Sequence, residues 1–124
     1  MAEEGERNAI GLMLSDCSVL MVLHQFAPIN SRQLSHIMDI NPGTISLYVQ
    51  RLVEKGLVQK AQDTKDRRTW WLTLTDLGQM VASKVVASAI AYTRDFLSVL
   101  SPEEQHALHR SLLKASHSLG FDWQ

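Results

Sequence analysis

Asn41-Pro42-Gly43-Thr44-Ile45-Ser46-Leu47-Tyr48-Val49-Gln50-Arg51-Leu52-Val53-Glu54-Lys55-Gly56-Leu57-Val58, continued by Asp63-Thr64-Lys65-Asp66-Arg67-Arg68 and Leu74-Thr75, decides the fold of this chain. Asn41 is a good helix cap, and Pro42 suits the first helical position, where a missing N–H costs nothing. Ile45, Val49, Leu52 and Val53 recur at i, i+4, i+7 and i+8, which predicts one buried face on a helix over 42–55. Gly43, Leu47, Gln50 and Glu54 fall on the opposite face, flanked by Thr44, Ser46 and Arg51. Gly56 is placed to close the helix in the left-handed conformation.

Immediately upstream, Asn30-Ser31-Arg32-Gln33 has an N-capping residue with a glutamine three positions on, a capping-box pattern. Leu34, Ile37 and Met38 predict a short helix ending near Asp39, preceded by a brief extended link at Ile29. Before that, Ser15 or Asp16 can cap a helix carrying Val19, Leu20, Val22, Leu23 and Phe26, which Pro28 ends. A short helical pattern covers 8–14, and residues 1–7 read as frayed. Two short helices joined by a tight turn, the second polar and small at its N-terminal half, form a helix-turn-helix.

Downstream the period changes from helical to alternating. Residues 57–61 and 69–74 read as strands around a polar turn at 63–67, with Trp70, Leu72 and Leu74 on one face and Thr69, Trp71 and Thr73 on the other. A charged hairpin directly after a helix-turn-helix is a wing. After Thr75, itself a cap, a long helix is expected to about Leu100 with Val81, Val85, Ile90, Phe96 and Leu97 on it. Some 25 residues of helix span ~37 Å, so it should reach past a winged domain and need a partner. Ser101, Pro102 and Glu104 start a last helix with Leu108, Leu112, Leu113 and Leu119, and Phe121 and Trp123 add aromatic surface at the tail.

The whole-chain properties set limits. With 124 residues, 45% hydrophobic and 20% charged, the chain suits one globular domain over 1–124. Cys17 stands alone, so no intrachain disulfide framework exists. An acidic start is unlike a signal peptide, and the apolar run 19–23 is far too short to span a membrane. A cytoplasmic protein with no membrane contact is the expectation. The net charge of −1 conceals an asymmetry, −3 over residues 1–31 and +3 over 32–68, so that a phosphate-attracting face is compatible with overall neutrality.

Asp63-Thr64-Lys65-Asp66-Arg67-Arg68 resembles the D-x-R-D-x-R wing signature of the MarR family of transcriptional regulators, with lysine in place of the first arginine. Leu74-Thr75-Asp76-Leu77-Gly78 resembles the L-T-x-x-G that follows it. Thr44-Ile45-Ser46 with Leu52, Glu54, Lys55, Gly56, Leu57 and Val58 resembles the recognition helix and its exit, and Ser101-Pro102-Glu103-Glu104 the start of the last helix. The resemblance spans about residues 15–118. It implies a mainly α fold with a small β wing: a winged helix-turn-helix over 15–78, with dimerisation helices over 8–14 and 79–124.

It also implies a homodimer on a pseudo-palindromic double-stranded operator, with helix 42–55 in the major groove and wing 59–73 in the minor groove. Thr44, Ser46, Leu47 and Gln50 would then face bases, with Pro42 and Gly43 permitting close approach. Arg32, Arg51, Lys55, Lys60, Lys65 and Arg67 would meet phosphates. Arg68, seven residues before Thr75, would enter the minor groove, where arginine suits the concentrated negative potential of A·T-rich sequence. Asp66 would orient Arg68, and Asp63 would pair with Arg67 or Arg68; the other reading of both aspartates is a turn held by surface charge pairs. The family's small-molecule effector cleft is roofed by a longer first helix than 8–14 supplies, which predicts a shallow cleft or none.

Other chemistry finds little footing. Cys17 near a helix start suits either a redox sensor or core packing. His106 and His109 share a helix at i, i+3 but have no third ligand with fixed spacing, so no metal is expected. There is no Gly-rich phosphate loop or nucleophile elbow, and neither enzyme activity nor a cofactor is expected. The competing reading of the scaffold is a winged-helix protein-interaction module that does not read DNA sequence.

Overall fold

A computed structural model describes residues 12–120. The helix expected over 8–14 therefore lies mostly outside the described residues, as do Phe121 and Trp123. The elements in chain order are α1 (Leu14–Phe26), β1 (Ile29–Asn30), α2 (Ser31–Met38), α3 (Pro42–Glu54), β2 (Val58–Gln62), β3 (Trp70–Leu74), α4 (Asp76–Leu97) and α5 (Pro102–Ser118). Contacts divide the chain into two compact units, one ending at Ser88 and the other starting at Ala89. The division falls inside α4.

In the first unit the cap signals act as read. Asn30 Oδ1 accepts from Gln33 N at 2.8 Å and Gln33 Oε1 accepts from Asn30 N at 3.0 Å. Asn41 Oδ1 accepts from Gly43 N at 2.8 Å and more weakly from Thr44 N at 3.4 Å. The α2–α3 turn runs through Asp39, which is left-handed at φ 52°, and is tied by the Ser35 hydroxyl donating to the Ile40 carbonyl. At the far end of α3, Gly56 takes φ +74°. Leu57 N then reaches Leu52 O and Gly56 N reaches Val53 O, both at 3.0 Å, the paired closure that stops a helix and turns the chain into a strand.

α1 begins one residue before the expected cap. Its cap position is Met13, whose N–H donates to Asp16 Oδ2 at 2.9 Å. The carboxylate reaches back from inside the first turn rather than forward from the cap.

The sheet is antiparallel in the order β1-β3-β2. Val58 to Gln62 pair in sequence with Leu74 to Trp70, while Ile29 pairs with Leu72 and Asn30 with Trp71. β1 is a third strand where only a connection was expected, because two residues cannot display an alternating pattern. It makes β3 the central strand.

Val19, Leu20 and Leu23 of α1, Leu34 of α2, and Ile45, Val49 and Leu52 of α3 form the core with Leu57, Val58, Leu72, Val81 and Ala82. Burying each such leucine contributes about 1.5–3 kcal/mol, and Cys17 belongs to the same cluster. Val53, read as part of the buried face, is exposed at the rim of the apolar stripe.

The Leu74–Gly78 segment joins β3 to α4. Thr75 N donates to Leu57 O at 3.1 Å, and Thr75 Oγ1 donates to Gly56 O at 2.6 Å while accepting from Gly78 N at 3.0 Å. A β-carbon on Gly78 would stand 1.8 Å from the Leu57 carbonyl oxygen. Glycine is required there by space, not by φ.

The second unit contains the end of α4 and all of α5. α5 starts with a capping box: Glu104 N donates to Ser101 Oγ at 3.2 Å and Ser101 N to Glu104 Oε1 at 3.0 Å. Gln105 Nε2 donates to the carbonyls of Leu97 and Leu100 across the turn, which fixes the end of α4 at Leu97, not Leu100. No residue of α5 is buried. Tyr92, Phe96, Val99, Leu112 and Leu119 are all exposed by more than half.

Candidate nucleic-acid interface

Core packing of Ile45, Val49 and Leu52 turns the rest of α3 outward. Pro42, Gly43, Ser46, Leu47 and Gln50 are exposed and Thr44 is half-buried. Leu47 stands out, being 65% exposed in the middle of an otherwise polar face. The Ser46 hydroxyl donates to the Pro42 carbonyl at 3.0 Å, which leaves its lone pairs available, and Gln50 Nε2 makes only a long 3.4 Å bond to Glu54.

The wing is organised by two aspartates. Asp63 Oδ2 accepts from Lys65 N and Asp66 N at 3.0 and 2.8 Å, and its Oδ1 accepts from the Trp71 indole N–H at 3.0 Å. The indole bond, then the two backbone bonds, hold the Asp63 carboxyl below its ordinary pKa. The expected pairing of Asp63 with Arg67 or Arg68 is replaced by these contacts, because a carboxylate at the start of a tight turn meets backbone N–H groups first.

Asp66 takes the expected role. Its Oδ1 accepts from both the backbone N and Nε of Arg68, at 3.0 and 3.2 Å, and its Oδ2 from the Thr69 hydroxyl at 3.4 Å. The Arg68 side chain is nonetheless 92% exposed, anchored at its base with the terminal amines outside those bonds. Gln62 Nε2 ties the wing further by donating to the Arg67 carbonyl at 2.7 Å, and the side chains of Lys60, Lys65 and Arg67 are exposed.

Three cations meet different surroundings. Arg32 lines a groove of about 540 Å³ with Phe26, Ile29, Gln33, His36 and Ile37. Arg51 and Lys55, each partly exposed, are paired with Asp16. Arg51 Nε and Nη2 donate to Asp16 Oδ1 at 3.1 and 2.9 Å, and Nη2 also donates to Ser15 Oγ at 3.0 Å. Lys55 Nζ lies 3.4 Å from Asp16 Oδ2, and the Arg51 guanidinium sits over the Tyr48 ring at 5.5 Å.

Asp16 has no exposed surface and is the one buried charged side chain among the described residues. Burial pushes its carboxyl upward, but the Met13 N–H bond, the Arg51 bonds and the charges of Arg51 and Lys55 together outweigh it, so the pKa is lowered from 3.8. A depressed folded pKa contributes stability that is complete above the unfolded value and is lost as pH falls through the folded one. Urea midpoints are therefore expected to be insensitive to Asp16 between pH 7 and 5 and to drop below about pH 4. Asp16→Asn should show a flatter acid limb; an acid limb as steep as wild type would remove Asp16 from the account.

Asp16, Ser15 and the Trp71 indole are the functional neighbours that sequence reasoning missed. A lone acid in the otherwise uncharged stretch Leu12 to Leu23 was the available signal for Asp16. Among the described residues no cluster of His, Cys, Asp or Glu is placed to hold a metal, and no helix is long and apolar enough to cross a membrane.

Comparison with known proteins identifies the arrangement. Residues 12–70 match the MarR family. The HTH-type transcriptional regulator YkoM of Bacillus subtilis, itself uncharacterised, is 30% identical over 106 residues, covering 85% of this chain and 68% of that protein.

This chain belongs to the MarR family.

The HTH-type transcriptional repressor MdtR of Bacillus subtilis is also 30% identical, over 86% of this chain but 64% of its own length, so the chain spans just under two thirds of that relative. The structure of Streptococcus pneumoniae FabT in complex with DNA superposes with a TM-score of 0.76 over 94% of this chain and 85% of that one, at 20% identity. That likeness establishes the shared winged-helix fold. Members of the MarR family are regulators of transcription rather than enzymes.

Proposed function

We propose that the protein is a homodimeric, sequence-specific DNA-binding transcriptional regulator acting in the cytoplasm. The observation that carries this reading is the outward face of α3, polar and close to the backbone at Pro42 and Gly43, on a helix whose other face is locked in the core. Thr44, Ser46 and Gln50 supply hydrogen-bonding groups for base edges in the major groove, and exposed Leu47 supplies an apolar contact for a thymine methyl. Arg68 enters the minor groove, and Arg32, Lys60, Lys65 and Arg67 meet phosphates. Arg51 and Lys55, which the sequence suggested as further phosphate contacts, are paired with Asp16.

The exposed apolar residues of α5 and the end of α4 support dimerisation, since such faces are commonly completed by a two-fold mate. A two-fold dimer presents two copies of α3 to half-sites about one DNA turn apart. Selection of duplexes from a random pool by the purified protein tests the whole reading. Enrichment of a pseudo-palindrome is expected; recovery of duplexes with no common sequence would instead mark a winged-helix interaction module.

A further inference from the structure

We propose that Asp16 acts as an internal substitute for a DNA phosphate, holding Arg51 and Lys55 away from the backbone of DNA and so lowering sequence-independent affinity. The inference rests on the DNA-reading function proposed above. Arg51 meets Asp16 through two N–H groups, at 3.1 and 2.9 Å, on one carboxylate oxygen, and Lys55 approaches the other at 3.4 Å. An oxyanion that draws guanidinium and ammonium donors together in this way offers them what a phosphate would. Arg51 lies on α3 beside the base-reading Gln50, and Lys55 caps the helix four residues on.

Burying a carboxylate is costly, and a brace between two helices is served as well or better by apolar contact. What the charge adds is compensation of two cations, one on the reading helix and one at its C-cap. Sequence-independent affinity grows with each cation free to neutralise a phosphate, and base contacts do not depend on that number. Withholding two cations therefore weakens binding to random DNA and to the operator together, and leaves base contacts to decide which sites are held.

The test measures binding of the full chain to its selected operator and to a random duplex of equal length, as a function of salt. Asp16→Asn is expected to steepen the slope of log K against log salt on random DNA by up to about 1.8, about 0.9 per released cation, and to raise random-duplex affinity about threefold or more at 0.1 M salt. Operator affinity should rise in step, with the operator-to-random ratio near its wild-type value. Adding Arg51→Gln and Lys55→Gln to Asp16→Asn should return the slope to the wild-type value, a reversal that loss of a brace alone would not give. Lys55→Gln by itself keeps the Arg51–Asp16 pair and should leave the wild-type slope unchanged; a drop of about 0.9 would mean that Lys55 already touches phosphate and would overturn the proposal. This variant decides the matter if Asp16→Asn does not fold. An unchanged slope in Asp16→Asn, with the wild type still selecting an operator, rejects the substitution of phosphate alone. A wild type that selects nothing rejects the DNA-reading function and this inference with it.

Discussion

Gly78→Ala is expected to destabilise the protein by about 3 kcal/mol or more, at the upper end of what overpacking costs. The added carbon would stand 1.8 Å from the Leu57 carbonyl oxygen and 2.8 Å from its carbon. A flexible side chain could swing away, but this neighbour is backbone. Leu57 is itself pinned from three directions: its side chain is core, its N–H closes α3 on Leu52, and its carbonyl accepts from Thr75. Relief requires either opening that closure or tearing the start of α4 from the sheet. Urea or thermal unfolding of the variant measures the loss; a stability within about 0.5 kcal/mol of wild type, the usual range for surface changes, would show that the segment yields more readily than its geometry implies.

Arg68→Ala is the opposite kind of variant. Among the described residues its side chain is held by Asp66 alone, and an ion pair this exposed adds little to folding. Unfolding should be unchanged while operator affinity falls at least tenfold, ~1.4 kcal/mol, the scale of a lost groove contact. Equal affinity of variant and wild type at ~0.15 M salt would remove Arg68 from the minor groove. Asp66→Ala should have a smaller effect in the same direction, since it frees the arginine without removing it. Together the glycine and the arginine separate what the wing and its flank do for folding from what they do for binding.

The sequence announced most of this fold because its signals were local. Asn30 with Gln33, Asn41 before Pro42, and Ser101 with Glu104 mark helix starts by bonds spanning two or three residues, and each is present. Gly56 marks an end in the same way. Where partners lie far apart along the chain, local pattern gave no warning. Arg51 and Asp16 are 35 residues apart, and an exposed cation and a bridged one look alike in sequence. β1 escaped notice because its strand character comes wholly from Leu72 and Trp71 across the sheet. The orientation of Asp66 toward Arg68 was implied by the family resemblance, while the Asp63 partner was misread because backbone N–H groups carry no letter in a sequence.

Asn30 belongs to two elements at once. Its backbone pairs with Trp71 in the sheet, and its side chain opens α2 by accepting from Gln33. Trp71 in turn carries the indole that braces Asp63 at the base of the wing. A path of three contacts thus links the first turn of the helix-turn-helix to the charged hairpin without passing through the core. The wing and the helix that precedes the reading helix are thus joined through a single residue of β3, so a displacement of the wing along the sheet is expected to pull on the start of α2.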